Sequence, residues 1–138
     1  VILASRNVVP PERRSCRERA QFVCEDLVTS CGCREVLAAL WGQGRRRLIL
    51  AQSGMGKVYR PMAEMFGHGW IPRCWWQAQM RPYVLTLRNP AAFCGNCPMA
   101  VEDGVNDISV RLESGGRVFG YLTAAVPAPS WRQQEMPT

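Results

Sequence analysis

Val110-Arg111-Leu112-Glu113-Ser114-Gly115-Gly116-Arg117-Val118-Phe119-Gly120-Tyr121-Leu122-Thr123 reads as a strand, a tight turn and a strand. With Ile108-Ser109 in front, the first arm runs from Ile108 to Glu113. The turn is Ser114-Gly115-Gly116 and the second arm runs from Arg117 to Thr123, with Pro127 and Pro129 stopping it further on. Glycine pairs between β-branched and aromatic runs are hairpin chemistry. About ten residues upstream stands Phe93-Cys94-Gly95-Asn96-Cys97-Pro98, a loop in which two cysteines flank a Gly-Asn pair. The hairpin is scaffold, and the cysteine loop delivered beside it is the first place to look for chemistry.

Working outward, Tyr83 to Leu87 alternates and ends at Asn89-Pro90, which predicts another strand. Near the start, apolar Ala20, Val23, Cys24, Leu27 and Val28 recur at three- and four-residue spacing. This predicts an amphipathic helix over 12–30 that Gly32 ends. Glu35 to Trp41 and Arg47 to Ser53 predict a second hairpin across Gly42–Arg46. Short helices are expected over Val58–Phe66, closed by Gly67-His68-Gly69, and over Arg73–Met80, with Pro72 near its first turn. No internal repeat is present. Strands close in sequence pair antiparallel, so the expected class is α+β: a central antiparallel sheet with helices on one face and loops and short helices on the other.

The 138 residues make one domain's worth of chain, 47% hydrophobic and 20% charged, which excludes a disordered or membrane-spanning class. No apolar run approaches the roughly 18–20 residues of a spanning helix. Val1 to Ser5 is too short for the apolar region of a signal peptide. The opening valine reads as the continuation of a longer protein. Seven cysteines without a secretion signal suit a reducing, cytoplasmic setting better than a disulfide framework. The net charge of +6 is carried by scattered arginines, every basic residue but Lys57 being one. The Arg45-Arg46-Arg47 run reads as a solvated turn tip, and neither nucleic acid nor a membrane surface is expected as a partner.

The final hairpin resembles the closing strands of a GAF domain, where a Gly-Gly turn and a Val-Phe-Gly-x-Leu run recur, here Val118 to Leu122. The rest resembles one GAF subgroup that has a C-x-x-C-P loop. It is found beside PAS domains and histidine kinases in bacterial and archaeal signalling proteins. The matching stretches are Ala20 to Val28, Val36 to Trp41, Ala51-Gln52-Ser53-Gly54, Pro72-Arg73-Cys74 and Cys94 to Pro98. Arg6-Asn7-Val8 resembles the connector from an upstream module. The resemblance implies an end of connector over 1–10, a GAF-like sensory domain over 11–127 and the start of a closing helix over 128–138. It also implies a regulatory function without catalysis, a homodimer formed through terminal helices, and attached kinase or PAS modules. The alternative is a purely structural dimerisation module without ligand, in which the helix over 12–30 pairs across an interface and buries Ala20, Leu27 or Val28. No match to the phosphodiesterase-type cyclic-nucleotide motif or to a phytochrome-type chromophore loop is present.

Cys94 and Cys97, with Cys74, are the first candidates for chemistry. A C-x-x-C loop lets two sulfurs converge on one ion, and Cys74 makes three. A structural zinc or an iron–sulfur cluster takes about four ligands, so Cys24 or the Cys31/Cys33 pair would have to supply the last. The alternatives are a reversible Cys94–Cys97 disulfide, either as a switch or as a thiol-redox enzyme, and cysteines that simply pack the loop. For an oxidoreductase the first cysteine should open a helix, and Ala100 to Asp107 with Gly104 and Asn106 is a poor helix. Trp70, Trp75 and Trp76 beside Met62, Met65 and Met80 read either as core or as the wall of a small-molecule pocket. The resemblance places ligands under this segment. Pocket candidates are therefore Trp70, Trp75, Trp76, Met65 and Met80. His68, the only histidine, reads as a loop residue. Gly54-Met55-Gly56-Lys57 lacks the spacing of a phosphate-binding loop.

Overall fold

Ser15 starts the first element. Its hydroxyl accepts from the Glu18 amide at 3.1 Å, and the Glu18 carboxylate accepts from the Ser15 amide at 3.2 Å, a reciprocal cap that fixes where α1 (Cys16–Cys31) begins. Gly32, at φ 76°, ends the helix as expected, its N–H donating to the Leu27 carbonyl. The computed structural model describes residues 15–42, 47–87, 97–98 and 105–127. The expected connector over 1–10, the Arg45-Arg46 tip, Cys94 and the segment 128–138 lie outside these residues.

The strands are β1 (Glu35–Gly42), β2 (Arg47–Ser53), β3 (Tyr83–Leu87), β4 (Val105–Ser114) and β5 (Arg117–Pro127). They form one antiparallel sheet in the order β2-β1-β5-β4-β3. β4 begins three residues before the expected Ile108, at Val105. Val105, Asn106 and Asp107 are buried and paired to Pro127, Val126 and Ala125, so cross-strand pairing overrides the weak local signal of Gly104 and Asn106. Between β2 and β3 a single 3-10 turn (Gly56–Val58) leads into α2 (Tyr59–Gly67) and then α3 (Arg73–Ala78).

Every residue of β1 from Glu35 to Leu40 is buried. Period-two alternation sends Leu37 and Ala39 to one cluster, with Met62, Phe66 and Trp75 of α2 and α3. Val36 and Ala38 go to another, with Cys24 of α1. The α+β class and the two-sided layering are as the sequence implies. Ala20, Leu27 and Val28, the residues an interhelical dimer would bury, pack against the chain's own sheet. α1 is drawn toward β2. The Gln21 amide donates to the Gln52 carbonyl at 2.7 Å and accepts from the Gln52 N–H at 3.3 Å, and Arg17 donates to the Leu50 carbonyl. The otherwise open edge of β2 is thereby partly covered.

The β4–β5 turn uses Gly115 and Gly116 at φ 58° and 78°, the left-handed pair of the turn that matches strand twist. Past it, Glu113 pairs with Val118 but Leu112 pairs with Gly120, so Phe119 is an extra residue, a β-bulge. Val118 packs with the α2/α3 cluster. The bulge turns Phe119 to the opposite face, where it joins Leu122 and Leu40 beside α1. At Gly120 a side chain is forbidden: a β-carbon would lie 2.4 Å from the Ala39 carbonyl oxygen. Val118-Phe119-Gly120 is thus a bulge followed by a close strand approach. Among the described residues no helix is long and apolar enough to cross a membrane.

Candidate functional site

The sheet face under α2 and α3 carries a column of rings. Trp75 is fully buried and stacks on Tyr121 of β5, centroids 5.5 Å apart at 15°, and on Phe66 of α2, 5.1 Å apart at 27°. Trp41 meets Tyr121 edge-on at 5.9 Å, and Trp70 lies 5.7 Å from Phe66. These offset and edge contacts are the favourable aromatic geometries. The indole N–H of Trp75 donates to the Thr123 hydroxyl at 2.6 Å, and the Ser109 hydroxyl lies 2.8 Å from the same oxygen. Arg111 reaches from β4 to the Ala78 and Arg81 carbonyls at 3.1 and 2.7 Å, placing a cation at the C-terminal end of α3. α3 is therefore tied to the sheet at its middle and at its end.

Cys74, next to Trp75, is buried in this cluster, and half-buried Cys97 packs against it. The Cys97 Sγ lies 4.0 Å from the Sδ of Met62, itself completely buried. Two of the expected cysteines thus share one apolar layer and gain a thioether neighbour that the spacing did not single out. Cys24 is not brought to them. It is buried under α1 with Cys33, on the other side of the sheet. Among the described residues no three His, Cys, Asp or Glu side chains are disposed to hold a metal ion.

The pocket candidates separate. Trp75 fills the core, Trp70 is half-buried against Phe66, and Met65 is half-buried on α2. Trp76 and Met80 are 56% and 86% exposed and face solvent. A cavity of about 370 Å³ lies instead on the α1 face, lined by Cys16, Arg19, Ala20, Val23, Ala38, Leu40, Leu112, Phe119 and Leu122. It exists because α1 leans to β2, leaving the β4–β5 half of that face to Leu112, Leu122 and the bulged Phe119. His68 is exposed, with its ring Nδ1 2.8 Å from the Glu64 carbonyl at the end of α2.

Burial pushes the Cys24 thiol up to about 11, with the Glu25 carboxylate adding to it. Burial and then Cys31 push Cys33 up in the same direction. Thiols held this way are poor nucleophiles at neutral pH. A folded state that keeps the Cys24 proton longer than the unfolded chain has its full stability below about pH 9. That stability declines as the pH rises toward about 11. In urea titrations at pH 8 to 10.5, Cys24→Ala should lessen this decline by about 1–2 kcal/mol. Equal slopes in the two proteins would contradict the assignment.

Sequence reasoning missed Ser109 and Thr123, and it took Met62 only as part of the Trp/Met segment, not as a neighbour of the cysteines. The first two had a readable signal: strand parity puts them on the face of Tyr121, so polar groups there require each other or a helix donor.

No family model matches the chain, and no curated protein matches it. Solved structures do. The GAF domain of an Acinetobacter phosphoenolpyruvate-protein phosphotransferase matches 93% of this chain and 74% of that one, at 15% identity and a TM-score of 0.53. A GAF domain/HD domain protein from Geobacter sulfurreducens matches over 91% and 81%, at 10% identity and 0.54. The A. aeolicus nlh2 GAF domain in an inactive state matches over 88% and 75%, at 13% identity and 0.50. The protein is an α+β domain built on a five-stranded antiparallel sheet between helical layers. Its fold is that of a GAF domain.

Proposed function

We propose that this chain is a sensory or regulatory domain of a cytoplasmic signalling protein. A redox, metal or small-ligand change at the Cys74/Cys94/Cys97 region biases an attached output domain such as a histidine kinase. The domain has no catalysis of its own. The observation that carries the reading is the placement of Cys74 and Cys97 on the layer that holds Trp75, whose N–H is bonded to Thr123 in β5. A shift of α3 at the thiols pulls on β5, and the next residues of β5, Leu122 and Ala124, pack under α1 on the far face. The fold supports the reading, since GAF domains of this fold occur in a phosphotransferase and beside an HD domain.

The test is amide hydrogen exchange on the reduced protein and on protein treated with a disulfide-forming oxidant. The expected result is altered exchange in α3, in β5 and in α1, absent in Cys74→Ser/Cys97→Ser. Changes that stop within the α2/α3 layer would refute a transmitted signal.

A further inference from the structure

The sulfur groups of the α2/α3 layer point to one ligand class, and this inference rests on the reading of that layer as the sensing site. We propose that Cys97, Met62 and Cys74 form a binding site for a soft monovalent metal ion of the Cu(I) type. Two sulfurs bound to one ion at about 2.3 Å, with tetrahedral to trigonal angles, stand about 3.8–4.0 Å apart. The Cys97 and Met62 sulfurs are 4.0 Å apart, so the ion fits with little change in their separation. Thiolate and thioether are soft ligands, of the class that takes Cu(I) and leaves hard ions to carboxylates and carbonyls.

The surroundings agree. Met62 is wholly buried and Cys74 nearly so, in a cluster with Phe66, Trp75 and Ala78, where a doubly charged ion needs more anionic ligands than the layer supplies. A monovalent ion on one thiolate and one thioether is electrically neutral. Cys74 adds a third sulfur from the same cluster as a protonated thiol, and the one proton lost, that of Cys97, passes to solvent on binding without any change of oxidation state. Half-buried Cys97 is the point of entry.

The experiment titrates the reduced full chain with Cu(I), anaerobically, against a chromogenic Cu(I) chelator, with Zn²⁺ in parallel. One Cu(I) per chain is expected, with an all-sulfur shell by X-ray absorption. Cys97→Ser should abolish binding. Met62→Leu, which keeps volume, should weaken it at least about tenfold, the least that losing even an outer-shell partner costs a metal site, with metal-free unfolding little changed. Unchanged Cu(I) affinity in Met62→Leu, or Zn²⁺ bound as tightly as Cu(I), overturns the site. Either failure leaves the exchange test of the sensory role standing on its own result. Cu(I) binding without altered exchange in α1 would fail that role and keep the site.

Discussion

Replacing Trp75 by alanine lowers the free energy of unfolding by about 3–5 kcal/mol, a large share of what a domain of this size possesses. Trp75 is wholly buried, stacked between Tyr121 and Phe66, and is the residue through which α3 reaches the centre of the sheet. Its loss leaves a cavity against a sheet that is too rigid to collapse into it. Trp75→Phe is the milder probe, because it keeps a ring between Tyr121 and Phe66 while removing the N–H that Thr123 accepts together with the smaller ring of the indole. Ser109 and Thr123 still satisfy each other, so the added cost of that bond is about 1 kcal/mol. Urea unfolding followed by far-ultraviolet circular dichroism measures both. A loss below about 1 kcal/mol for Trp75→Ala would show that the column is surface decoration.

Gly120→Val destabilises by about 3 kcal/mol, the upper range for overpacking. The obstructing atoms are the Ala39 carbonyl oxygen at 2.4 Å and Leu40 Cδ2 at 2.8 Å. The carbonyl belongs to β1, which is held by β2 on one side and β5 on the other, so it has nowhere to retreat. Gly120→Ala is the sharper probe. Elsewhere in a compatible backbone, glycine to alanine stabilises by about 0.4–1 kcal/mol through the unfolded chain. Here the sign should reverse. A melting temperature equal to or above that of the parent would rule out the close approach.

Much of the architecture was readable because its signals are local. The spacing of Ala20, Cys24, Leu27 and Val28 sets the face of α1, and Gly115-Gly116 sets the final turn. The sequence pattern of β4 starts late because Val105 to Asp107 owe their extended state to partners in β5, information that no nearby residue carries. The site was half legible. The C-x-x-C spacing singles out Cys97 and the resemblance adds Cys74, whereas the separation of Cys24 from both onto the other face needs the parity of several strands at once. Trp75, Trp76 and Met80 look alike in sequence, and only the direction of a six-residue helix separates a core ring from two exposed side chains.

The paired hydroxyls of Ser109 and Thr123 also guard against misfolding by strand slippage. Directly opposite each other on β4 and β5, they are satisfied only at one alignment. Sliding β4 by a single residue would rotate Ser109 into the apolar layer of Val36, Ala38 and Cys24. It would also strip Thr123 of one partner, at about 1–3 kcal/mol for each orphaned group. Two small polar side chains in the middle of a greasy sheet thereby act as a checksum on assembly, penalising the nearest wrong alignments of the strands that carry the Val-Phe-Gly bulge.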